Sequence, residues 1–246
     1  MKHKKKKLSK ISALHYFKLK LRSALLLVTL VFYILDRTDI LTQNIVIPII
    51  VWVFFIVGML LRFFPSKFES MGCQKQFARN YEPVAQQTVP VNQSWKTTAL
   101  VAVVWLALNG FIGALYFAGI IDRGILILIA LAYSVCDIVC ILFFCPFQTW
   151  FMKNRCCVSC RIYNWDYAMM FTPLIFVPDV LTYTLLGLGL ALVARWEVTR
   201  LLHPKRFNLK CNGAMSCRNC KEKLCRHKKQ LRNFILKQKL RLKKYD

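Results

Sequence analysis

Apolar residues along this chain are gathered into long runs, with the polar and charged residues collected between them. The runs cover about residues 21–35, 45–64, 98–121, 125–144 and 169–193. Stretches near twenty residues match a hydrocarbon core of ~30 Å at ~1.5 Å of helix rise per residue. The pattern predicts an all-α fold: a multi-pass membrane helix bundle with about five apolar segments and a basic, cysteine-rich C-terminal tail. Three parts follow: a basic N-terminal tail, 1–20; a transmembrane helical domain, 21–195; and a basic cysteine-rich segment, 196–246.

The runs are not equivalent. The first is short for a full crossing. Pro48 lies in the first turn of the second, where a missing N–H costs nothing, and Arg62 at its end can snorkel to the interface. The fifth carries Pro173, Pro178 and Asp179 in its first half, which predicts a kinked helix facing protein or water. Residues 65–97 form the longest polar connection, and Pro65, Pro83 and Pro90 argue against a continuous helix there.

Charge sharpens the picture. The formal net charge is +25, with 57% hydrophobic residues, and segregated basic and apolar blocks are what a bilayer sorts into surface and core. Leu8, Ile11, Leu14, Phe17 and Leu21 recur among lysines, which fits a short interfacial helix as well as a solvated tail. From Arg195 to Lys244 there are seventeen Lys and Arg against two acids, and Leu231, Phe234, Ile235 and Leu242 fit one apolar stripe of a basic helix on anionic lipid headgroups. The basic residues are terminal and juxtamembrane, without a binding motif, so no nucleic-acid partner is expected.

These charges conflict with five crossings. An odd number puts the termini on opposite sides, whereas the positive-inside rule places both in the cytoplasm. Either the first run does not cross, or the proline-broken fifth is re-entrant, or the C-terminal charge is tolerated outside. The expectation is an integral protein of the cell's inner (plasma) membrane, with its N-terminus and its C-terminus cytoplasmic.

Chemistry concentrates in the cysteines. The chain has eleven, an odd number that excludes complete internal disulfide pairing. One group is Cys145, Cys156, Cys157 and Cys160, between the fourth and fifth runs; a second is Cys211, Cys217, Cys220 and Cys225 in the tail. Thiolates at x2 spacing reach a common ion, and a Cys–Pro step such as Cys145-Pro146 ends many iron–sulfur runs. The leading expectation is a metal centre, an iron–sulfur cluster or zinc, with the tail set as the better ligands and a redox partner if the centre carries electrons. Lys153, Arg155 and Arg161 would lower neighbouring thiol pKa values. The alternatives are a thiol–disulfide oxidoreductase using Cys157 and Cys160, with Cys136, Cys140 or Cys145 as an internal partner, and a scaffold or small transporter. The plain reading is reduced, unliganded cysteine.

Two acids fall within apolar runs, Asp137 and Asp179. Such residues face the interior with a partner, or mark a proton or cation path. No Ser/His/Asp, phosphate-loop or metalloprotease signature is present.

Overall fold

The computed structural model describes residues 9–35, 46–67, 69–84, 95–152 and 156–220, together with 222, 224, 225 and 228. The stripe proposed over Leu231–Leu242, Lys153, Arg155 and the end of the 65–97 connection lie outside the described residues. Among the described residues the secondary structure is helical, apart from one isolated bridge between Pro83 and Asn212.

Seven α-helices are numbered here: α1 Lys10–Leu35, α2 Val46–Leu61, α3 Met71–Gln74, α4 Trp95–Phe117, α5 Arg123–Leu142, α6 Asp166–Phe171 and α7 Val180–Leu202. Two of them, α4 and α5, are long and apolar enough to cross a membrane. The basic segment and the first apolar run join into one 26-residue helix, α1. Its buried positions Ser12, His15, Arg22 and Thr29 recur at helical spacing, so a polar stripe faces inward. Leu27, Val28, Leu30, Val31, Phe32, Ile34 and Leu35 face outward. On α4, Thr98 and Asn109 are buried while Val103, Leu106 and Phe111 are exposed. A helix in water shows the reverse arrangement.

Helix directions follow from their contacts. The start of α1 meets the cysteine-bearing end, where Ser12 Oγ donates to the Glu222 carbonyl (3.0 Å) and Lys18 pairs with Glu69 (3.2 Å). At the opposite end, the Tyr33 hydroxyl donates to Asp122 Oδ2 (2.7 Å). α5 therefore runs antiparallel to α1, starting from Asp122, whose carboxylate caps it by accepting from Ile125 N (2.8 Å). α2 ends at Arg62 on the cysteine end, and α4 leaves that end beside Cys160 and Ile162, which pack with Val101.

The fifth apolar run is not one kinked helix. α6 continues as a 3-10 turn, Thr172–Phe176, around Pro173. Val177 is extended, and Asp179 begins α7, which runs back to the cysteine end. Arg123 lies 3.8 Å from Asp179 at the tip, and Trp196 Nε1 donates to the Arg161 carbonyl (2.7 Å) at the base. Residues 166–202 thus form a hairpin. Its arms touch at Gly189, where an added Cβ would lie 3.2 and 3.3 Å from the Ala168 backbone; glycine permits that approach.

Counting the two arms of the hairpin separately, six helical segments run between the two ends of the bundle, and residues 9 and 228 both lie at the cysteine end. The opposite end carries Asp122, Arg123 and Asp179. With the fifth run counted out and back, the first and last described residues come to the same end of the bundle.

Candidate functional site

The cysteine end is organised on buried ion pairs. Arg22, its side chain 3% exposed, donates through Nη1 to Asp137 Oδ2 (2.9 Å) and to the Ser134 carbonyl (2.7 Å). Arg62 Nη1 donates to Asp166 Oδ1 (2.6 Å) and Asn164 Oδ1 (2.9 Å), and its guanidinium lies over the Tyr167 ring at 4.5 Å. Arg62 therefore does not snorkel; it ties α2 to the base of the hairpin. Burial alone would raise the Glu69 carboxyl, but Arg62 and Lys18 overcome it and hold Glu69 below the usual range.

The loop from Cys156 to Asp166 is held from beneath by Lys75. Its Nζ donates to the carbonyls of Val158 (2.7 Å) and Cys160 (3.0 Å) and lies 4.9 Å from the Trp196 ring. Full burial lowers this ammonium to about 8. Glu197 binds Arg161 (3.3 Å) and Trp165 Nε1 (3.0 Å) from α7. Glu222 accepts from Ser70 Oγ (2.6 Å) and from Met71 N, docking the tail on α3.

On this frame the thiols take distinct places. α5 ends at Leu142, and the chain reverses through Phe143–Pro146 into the π-turn Phe147–Phe151. Cys140, on the last turn of α5, and Cys145, just beyond its end, line one cavity. Gln148 N–H donates to Cys145 Sγ (3.4 Å). Hydrogen bonding by Cys140 outweighs burial, and with Gln148 and Lys228 lowers the Cys145 thiol to about 7. Lys228 Nζ binds the Cys140 carbonyl (2.9 Å) at the last turn of α5 and Cys157 Sγ (3.1 Å), while Cys157 Sγ donates to Gln148 Oε1 (2.9 Å). A cation at a helix C-terminus satisfies carbonyls that lack partners in the helix. Burial pushes the Cys156 thiol up to about 11 and Cys160 to about 12.

The two cysteine groups meet only in part. Cys156 and Cys157 share a small cavity of about 30 Å³ with Cys220, Cys225, Glu222 and Lys228. Cys211 is buried beneath the Pro83–Asn212 bridge and Cys217 is exposed; neither lines this cavity. All eleven thiols are free. Among the described residues, no three Cys, His, Asp or Glu side chains are grouped so as to hold a metal ion.

A second cavity, about 260 Å³, lies between α4, α5 and the loop, and is open on one side. Cys136, Cys140, Cys145, Cys157 and Cys160 line it together with Asp137 and Asp166, and its walls include Trp105, Tyr133 and Phe147. The predicted intramembrane acids thus part company. Asp137 is an interior residue with an arginine partner, while Asp179 sits at the partly exposed hairpin tip.

Arg22, Asp166, Lys75 and Lys228 were not singled out as site residues by sequence. Arg22 had a signal, a cation on the inward stripe of an apolar helix. No protein-family model, curated protein or solved structure matches the chain.

Proposed function

We propose that this chain is an integral membrane thiol–disulfide oxidoreductase, with Cys140 and Cys145 as its dithiol and Cys157 as the exchange thiol beside them. The carrying observation is that Cys140, Cys145 and Cys157 line one cavity, with Lys228 bound to both the Cys140 carbonyl and Cys157 Sγ. Two thiols on one cavity wall, one of them, Cys145, lowered to about 7, suit two-electron oxidation to a disulfide with loss of two protons. Residues 9 and 228 lie at one end of the bundle, and the charge rule would make that end cytoplasmic. The inward polar stripe and the apolar exterior support the bilayer as solvent.

The test is oxidation of the purified chain with diamide, followed by mass spectrometry of its cross-linked peptides. A Cys140–Cys145 disulfide that dithiothreitol reverses is expected and is lost in Cys140→Ser. Oxidation at other thiols only would overturn the assignment.

A second reading keeps the metal centre, iron–sulfur or zinc, and rests on the cavity shared by Cys156, Cys157, Cys220 and Cys225. Four thiols are enough for one tetrahedral ion or one cluster, and since they are not grouped closely enough to hold one as they stand, binding would have to draw them together. Elemental analysis decides it: stoichiometric zinc or iron, reduced in Cys220→Ser, supports this reading, and metal-free protein removes it.

A further inference from the structure

We propose that the cavity beside the Cys140–Cys145 pair binds the ring of a lipid-soluble quinone, and that this quinone is the electron acceptor of the dithiol. The inference rests on the thiol-redox reading above and names its co-substrate.

Size is the first argument. An apolar cavity of about 150 Å³ holds a benzene ring, and this one, at about 260 Å³, holds a substituted ring. Its walls suit a flat π-system: Trp105 and Tyr133 lie with ring centroids 4.7 Å apart, and Phe147 lies 6.1 Å from Trp105. Cys136, at its edge, is exposed on the outer side of α5 within the apolar run. A ligand entering there comes from the hydrocarbon layer, and an apolar tail can stay in it.

Charge is the second argument. Both carboxylates on the wall already have guanidinium partners, Asp137 with Arg22 and Asp166 with Arg62. The balance selects against a charged ligand and for a neutral one. Asp166 nevertheless keeps one acceptor: its side chain is 7% exposed and Oδ2 has no hydrogen-bond partner. A hydroquinone presents an O–H to such an oxygen. A quinone carbonyl needs donors, which the thiols and the Tyr133 hydroxyl on the same wall supply.

The step balances without another reactant. Cys140 and Cys145 lose two protons and two electrons as their S–S bond forms. The quinone gains the same two electrons and two protons and leaves as the hydroquinone.

The experiment uses the full reduced chain in nanodiscs without oxygen, with a decyl-substituted benzoquinone as probe and diamide as control oxidant. We expect one hydroquinone, followed by ultraviolet absorbance, for each Cys140–Cys145 disulfide found by mass spectrometry. In Cys136→Trp, which fills the edge of the cavity, the quinone rate should fall by about tenfold or more while diamide oxidation is unchanged. The doubly substituted Cys140→Ser/Cys145→Ser chain cannot react, and should still bind the quinone with quenching of tryptophan fluorescence. A disulfide with diamide but none with saturating quinone overturns the quinone assignment and leaves the dithiol standing. A disulfide with neither overturns both. An undiminished quinone rate in Cys136→Trp shows reaction outside the cavity and overturns the assignment.

Discussion

Arg22 on α1 and Asp137 on α5 form an ion pair at 2.9 Å inside the bundle, with the same guanidinium nitrogen also bound to the Ser134 carbonyl. The pair holds together two helices distant in sequence. Neither charge would be tolerated alone, since an unpaired buried ion keeps its desolvation cost and loses its compensation. Arg22→Met or Asp137→Leu alone should destabilise the protein by roughly 3–5 kcal/mol, whereas the double substitution should recover most of that loss. Thermal unfolding in detergent, run as a double-mutant cycle, measures the coupling.

Cys145 should be the fastest-reacting of the thiols near the large cavity at neutral pH. Its thiol sits at about 7 because Cys140 and Gln148 donate to it, so the reactive thiolate forms above that pH and is lost below it. Iodoacetamide labelling followed by peptide mass spectrometry should show a midpoint near 7 at Cys145. Cys160, with its thiol near 12, should stay unlabelled across the same range. In Cys140→Ala the Cys145 midpoint should move toward the ~8.5 of an ordinary thiol.

Lys75 gives a pH dependence of stability with a defined sign. Its ammonium is lowered from 10.5 to about 8 by burial, so between those values the unfolded chain binds more protons than the folded one. Stability contributed by this group therefore rises with pH across that window, and is flat below about 8, where both states are charged. The melting-temperature difference between the wild-type chain and Lys75→Met should shift in favour of wild type from pH 8 to pH 10. A constant difference would remove the assignment.

The proposed membrane reading, with the fifth run going out and back, predicts sidedness. An impermeant maleimide should reach the exposed Cys217 from the same side as an added cysteine at Ser9, and reach Asp179→Cys from the other. Labelling of Cys217 and Asp179→Cys from one side would restore an odd number of passes.

The alternation of apolar and basic blocks made the helices legible, and Pro173 and Pro178 marked where the fifth run breaks. Whether it bends or returns depended on contacts remote in sequence: Asp179 beside Arg123 at the tip, and Gly189 against Ala168 midway. Asp137 was readable as interior because an acid in an apolar run needs a partner, but its partner was not, since 115 residues separate the two. Cysteine spacing marked Cys145, Cys156, Cys157 and Cys160 as a group. It gave no sign that Cys145 and Cys140 would line one cavity, because that depends on where the helix ends, at Leu142, and on the turn Phe147–Phe151 that follows. Arg62, read as an interfacial cation, became a buried tie because Asn164 and Asp166 descend to meet it.

The short outward arm of the hairpin sets an order for biogenesis. Six α-helical and five 3-10 residues rise only about 19 Å, well short of a hydrocarbon core. Emerging from a ribosome alone, this arm is too short to be held as a membrane span. On the proposed membrane reading it enters with α7 as one unit, after most of the return helix has been made. The side of α5 on which α6 packs is therefore closed only once the return helix, ending at Leu202, has been made.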